Sequence, residues 1–150
     1  MKRDKHMFKK AKNEDAKVLA DLAIQMWTDH ILEDLTEEFR QIEMNDDAVC
    51  FINSVDDKPI AFTQCQLRRD YVEGTDSSPV EYLEGVFVSE GYRKKGYAAE
   101  LLTECEKWAK EKACTEFASD CGLDNIDSLR FHLALGFVEA NRIICFRKEL

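Results

Sequence analysis

Residues Glu81 to Lys112, EYLEGVFVSEGYRKKGYAAELLTECEKWAKEK, constrain the fold more than any other stretch of this chain. The segment from Pro79 to Val88 is rich in β-branched and aromatic residues, the composition of a buried strand. Two glycines and three cations follow in Gly91-Tyr92-Arg93-Lys94-Lys95-Gly96. Beyond them Ala98, Leu101, Leu102, Cys105, Trp108 and Ala109 recur at helical spacing and make one apolar face. A strand that feeds a glycine-bearing basic loop and then a helix leaves free backbone N–H groups at a positive helix end. Such an end binds anions, phosphate above all.

The rest of the chain supplies a sheet for that unit. Met7 to Ala11 reads as a short strand. Asn13 caps a helix expected to run through His30, with Ala16, Leu19, Leu22, Ala23 and Met26 as its apolar face. Trp27 and His30, three apart, project from neighbouring positions near its end. Leu35 to Met44 reads as a second, acidic helix with Thr36 as a possible cap. Ala48 to Val55 and Ile60 to Leu67 form a hairpin about the turn Asp56-Asp57-Lys58-Pro59. Arg68 to Ser78 is a polar loop containing Gly74. Thr115 to Asp120 reads as a strand. Asp124 or Asn125 then caps a helix to Leu135, with Ile126, Leu129 and Leu133 as its apolar face, and Gly136 stops it. Phe137 to Ala140 and Arg142 to Arg147 read as two closing strands. The sum is one α/β domain over residues 1–150, with a mixed sheet flanked by helices.

Composition narrows the function. At 150 residues with 45% hydrophobic and 34% charged residues, the chain suits one soluble domain. No apolar run approaches the roughly 18 residues that span a bilayer, and no secretory signal opens the chain, so a cytoplasmic protein is expected. A net charge of −9 argues against nucleic acid as partner. With one local basic loop it suits an anionic cofactor and a cationic substrate. The six cysteines form no CxxC pair and have no histidine cluster nearby, so no metal is expected and most are read as reduced, buried thiols. Cys121 alone has a polar setting.

Two motifs carry a resemblance. Arg93-Lys94-Lys95-Gly96-Tyr97-Ala98 fits the (Arg/Gln)-x-x-Gly-x-(Gly/Ala) loop of the GCN5-related N-acetyltransferases, after a strand and before a helix as that family has it. Asn125-x-x-Ser128-x-x-x-His132-x-x-x-Gly136-Phe137 fits a second element, and the order of elements fits over the whole chain. More narrowly, Tyr82 to Val88, Cys114 to Asp120 and Leu123-Asp124-Asn125 resemble bacterial aminoglycoside 6′-N-acetyltransferases. The resemblance implies acetyl-CoA as co-substrate, a polycationic aminoglycoside as acceptor and, as relatives are often dimers, a homodimer. Two alternatives stay open: acetylation of another amine (a polyamine, a protein N-terminus or a lysine), and a non-catalytic acyl-CoA-binding module.

Each site residue has a chemical reason. Gly96 lets a pyrophosphate approach the main chain, Lys94 to Ala99 offer successive N–H groups, and Arg93, Lys94 and Lys95 add charge. Val86, Phe87 and Val88 would pair with the pantetheine arm as an added strand does, with Gly85 as a bulge that opens the slot. The resemblance adds Asn125 to the cofactor contacts. Glu84 shares a strand face with Val86 and Val88 by period two, and an acid there must face a cleft. Glu84 or Asp120 would bind the attacking ammonium, take its proton, or both. His132 stands where many relatives carry a tyrosine that protonates the leaving thiolate; it is read as either that acid or a structural histidine. For the acceptor the resemblance points to Trp27, His30, Tyr71, Glu84 and Asp120. An acid that some relatives place before the last strand is Asn141 here, with Glu139 two residues earlier.

Overall fold

The computed structural model describes residues 6–150. Strand β1 (His6–Lys10) leads through a 3-10 turn into helix α1 (Ala16–Ala23) and then helix α2 (Leu32–Glu43). Strands β2 (Ala48–Val55), β3 (Lys58–Arg68) and β4 (Val80–Val88) follow, then helix α3 (Tyr97–Glu111), the short strand β5 (Phe117–Ala118) and helix α4 (Ile126–Ala134). The sheet order is β1-β2-β3-β4-β5. The first three pairings are antiparallel; β4 and β5, joined by the α3 crossover, run parallel.

Period-two alternation builds the two cores. In β2, Val49 and Phe51 face α3 with Leu101, Leu102, Cys105 and Trp108. Cys50 and Ile52 face α1 and α2 with Leu19, Leu35, Phe39 and Phe62. The β2–β3 hairpin closes on Asp56 and Asp57, both at positive φ, as a two-residue turn matched to strand twist requires.

Several expected elements differ. Helix α1 stops at Ala23 rather than His30, because its bonds tighten to i−3 at Gln25 and Met26 while Trp27 turns in against the sheet. Asn13 does not cap it. The Asp15 carboxylate instead accepts the Lys12 N–H at 2.8 Å and pairs with Lys9 at 2.9 Å. Thr36 lies inside α2, its hydroxyl donating to the Leu32 carbonyl at 2.8 Å. On α4 the sequence-expected face is turned outward: Ile126 and Leu133 are about half exposed, whereas Phe131 and Leu135, four apart, pack on the α3-side core.

Neither closing strand joins the sheet. Residues 137–150 carry no strand, and Val138, Ile143, Ile144 and Phe146 are largely exposed. Asn141 still touches the body through a hydrogen bond to Glu73, and Ala140 packs against Gly74. All six cysteines are free; Cys50, Cys65, Cys105 and Cys114 are buried, Cys121 and Cys145 exposed.

Candidate active site

The β3–β4 ladder breaks at one place. Gln64 pairs with Gly85 and Cys65 with Leu83, so Glu84 is an extra residue with no partner across the ladder. A bulge of this kind puts its two residues on one side of the sheet. Leu83, Val86 and Val88 consequently all pack with the α3-side core. Glu84 lies on the opposite face, with Tyr82 and Phe87. This corrects the period-two expectation, which placed Glu84 beside Val86 and Val88. Gly85 has a second reason to lack a side chain: a Cβ there would stand 3.2 Å from the Trp27 ring.

The acids are engaged on that face. Arg68 closes a fork on Glu84, with Nη2 at 2.8 and 3.0 Å from its two oxygens and Nε at 3.1 Å. The Arg68 guanidinium also lies 3.5 Å over the Tyr82 ring. Tyr82 in turn donates its hydroxyl to the Asp120 carboxylate. Burial first, then Asp120, pushes the Tyr82 hydroxyl well above its ordinary pKa, so it remains a donor. Glu84 and Asp120 are thus joined through Arg68 and Tyr82, two residues to which the sequence assigned no role in the site.

Two clefts flank this network. One, of about 190 Å³, is lined by Trp27, His30, Glu38, Phe39, Ile42 and Gln64. The Trp27 and His30 rings lie 5.9 Å apart, which confirms their expected adjacency. The other, of about 330 Å³, is lined by residues 66–71, with Arg68 and the 77% exposed Tyr71 among them. Tyr71 bonds Glu73 at 3.3 Å, and Glu73 also receives Asn141. Glu139 instead pairs with Arg142, which holds its carboxyl below the usual range. The structure thus brings Asn141 toward Tyr71 but leaves Glu139 in a separate ion pair.

The anion loop has its own geometry. Gly91, Lys94 and Gly96 all adopt positive φ, +90°, +62° and +88°, and Gly96 stands at the head of α3. Left-handed residues set among right-handed ones turn successive N–H groups to one side, a nest for anion oxygens. Lys94, Lys95 and Gly96 are exposed, with Tyr97 and Ala98 half-buried behind them and Ala99 open. Arg93 folds back, its Nε donating to the Val88 carbonyl at 2.8 Å. The β4–β5 pairing runs only from Glu81↔Phe117 to Tyr82↔Ala118, so the two strands part before Val86, Phe87 and Val88. Such a wedge suits an extended, hydrogen-bonding chain laid along β4.

At the far side, Asn125 caps α4 by accepting the Ser128 N–H at 3.1 Å. His132 Nδ1 lies 2.7 Å from the Ser128 carbonyl, which can only accept, so the proton sits on Nδ1. Nε2 then faces the Ser119 hydroxyl at 2.8 Å and, in the neutral ring, accepts from it. Ser119 falls just past β5, although the sequence placed it inside a strand over 115–120, and its role was missed because a lone serine in an expected strand carries no signal.

Residues 16–137 match the Acetyltransferase (GNAT) family. The chain belongs to that family. Its relatives include an aminoglycoside N(6′)-acetyltransferase type 1 of Serratia marcescens, 40% identical over 86% of this chain and 89% of that one. A protein of the same name from Acinetobacter baumannii is 42% identical over 83% and 86%. Among solved structures, AAC(6′)-Iy in complex with a CoA-S-monomethyl-acetylneamine bisubstrate analogue superposes with a TM-score of 0.92. The two share 34% identity, covering 97% of this chain and 99% of that one. AAC(6′)-Ih from Acinetobacter baumannii superposes at 0.91 with 37% identity. The acetyltransferase fold expected from the sequence is therefore borne out, with its mixed sheet and flanking helices. This acetyltransferase places the family's loop, Arg93 to Ala98, at the head of α3.

Proposed function

We propose that this acetyltransferase moves the acetyl group of acetyl-CoA to the 6′-amine of aminoglycoside antibiotics and so confers resistance to them. One observation carries the reading: the bulge in β4 sets an acid and an aromatic cleft on one face of the strand whose free edge leads to the anion loop. The identity to proteins named for this activity supports it.

In this reading the residues take the following roles, which the geometry and the family resemblance support. The nest at residues 94–99 and its lysines hold the pyrophosphate, and β4 from Val86 to Val88 lies along the pantetheine arm, with Asn125 at its thioester end. Trp27, His30 and Tyr71 present faces to sugar rings and cations, with Asn141 and Glu139 at the rim. Glu84 and Asp120 attract the acceptor's ammonium groups and lead the proton off the attacking amine. A strand N–H at Val86 or Phe87 meets the oxyanion. His132 acts as general acid: once protonated, it passes a proton through the Ser119 hydroxyl to the leaving thiolate.

The active form is a homodimer in which residues 143–150 of each copy seat on its partner. The β5 edge of the sheet is open among the described residues, and Ile143, Ile144 and Phe146 of this segment are exposed. Six free thiols suit a reducing, cytoplasmic setting.

The test is CoA-thiol release from acetyl-CoA with kanamycin-type aminoglycosides, spermidine and lysine peptides, followed by mass mapping of the product. Release with the aminoglycoside and acetyl on its 6′-nitrogen is expected. Release with spermidine or peptides alone sinks the reading.

A further inference from the structure

Arg68 stands where an incoming cation would be sought. The carboxylate of Glu84 on one side and the face of Tyr82 on the other make a receptor for an ammonium group, and the guanidinium fills it at 2.8 Å and 3.5 Å respectively. We propose that Arg68 is a specificity-determining residue: its guanidinium occupies the cation subsite between Glu84 and Tyr82, and an acceptor enters by displacing it. This inference rests on the aminoglycoside reading above and names how one part of that site chooses among amines.

The exchange has a direction. The Arg68 fork makes two-pronged, charge-assisted bonds to Glu84, whereas an ammonium that replaces it is a compact point charge with no fork to match. Swapping one for the other at Glu84 gains nothing by itself. A monoamine therefore competes poorly. A polycationic sugar brings further cations to Asp120 and Glu38 and ring faces to Trp27, and those extra contacts carry the exchange. Arg68 has somewhere to go: it ends β3 beside a cleft of about 330 Å³ that Asp70 also lines. Glu84, being the unpaired residue of the bulge, has no cross-strand neighbour to hold it once the fork opens. Arg68 thus acts as a threshold on acceptor charge.

The experiment compares kcat/KM for a kanamycin-type aminoglycoside and a monoamino sugar, 6-amino-6-deoxyglucose, in the wild type, Arg68→Gln and Arg68→Lys. Arg68→Gln should lower KM for the monoamino sugar and narrow the preference for the aminoglycoside about tenfold. Arg68→Lys, which keeps the charge without the fork, should fall between. An equal loss of kcat toward both acceptors, with the preference unchanged, overturns the proposal and makes Arg68 a residue that positions Glu84. Thermal melts check both variants; if Arg68→Gln fails to fold, the same preference measured in Arg68→Lys decides. A wild type that acetylates neither sugar fails the aminoglycoside reading first, and this inference with it.

Discussion

Glu81 is the least comfortable residue in the chain. It is fully buried between β4 and α3, and neither carboxyl oxygen has a hydrogen-bond partner. Burial, then the neighbouring Cys105 and Glu106, raises its pKa from 4.5 to about 9. A proton held more tightly in the fold than in the unfolded chain means stability is full below 4.5 and drains away as pH rises toward 9. The slope is about 1.4 kcal/mol per pH unit from this one group. Urea titrations across that range should show the wild type losing stability relative to Glu81→Gln, in which the group cannot ionise. Two other single residues carry the proposed chemistry. Glu84→Gln and Asp120→Asn should each lower kcat/KM about 10²- to 10⁴-fold with acetyl-CoA affinity preserved, read by steady-state kinetics beside calorimetry. Of these residues the sequence revealed Glu84 and Asp120, because an acid inside or at the end of an apolar strand is conspicuous. It did not reveal Arg68, Tyr82 or Ser119. A cation in a polar loop, a tyrosine in one expected strand and a serine in another are all ordinary until the fold sets them against an acid or an imidazole.

Among elements, the loop at residues 91–96 and the bulge in β4 matter most. Gly96 sits at φ +88° with open space around the position of a Cβ, so Gly96→Ala strains the backbone without a clash. It should destabilise the head of α3 by about 1 kcal/mol and weaken CoA binding several-fold in calorimetry, since the nest depends on that turn. Gly85→Ala differs: its Cβ would meet the Trp27 ring at 3.2 Å, so the acceptor side should suffer and the cofactor side should not. A raised acceptor KM with unchanged acetyl-CoA KM is the expected outcome. Strand and helix positions near the cofactor loop were legible because hydrophobic period and glycine placement agree there. The face of Glu84 was not. Alternation counts residues, and one unpaired residue shifts the count for everything before it. The end of α1 was lost for a similar reason: Trp27 obeys its contact with the sheet rather than the helix that propensity extends.

On the scale of the whole molecule, the proposed dimer rests on the exposed tail from Ile143 onward. A chain truncated after Asn141 should run as a monomer in size-exclusion chromatography with light scattering, while the full chain runs as a dimer. The two closing strands expected at 137–140 and 142–147 are not strands in this fold: apolar, β-branched sequence there signals strand propensity, but no local pattern supplies a sheet edge for it to pair with. The cores on either side of the sheet, by contrast, could be read almost residue by residue from β2 and α3. Within this frame the bulge has a last consequence. Glu81, Leu83, Val86 and Val88 all face α3, and they would alternate without interruption if Glu84 were absent. The acid is supernumerary to the strand's own grammar: struck out, it leaves a continuous ladder and an intact sheet. The ladder has no need of the residue to which the proposed chemistry assigns the acceptor, so stability and chemistry are written in β4 as separate texts, one spliced into the other.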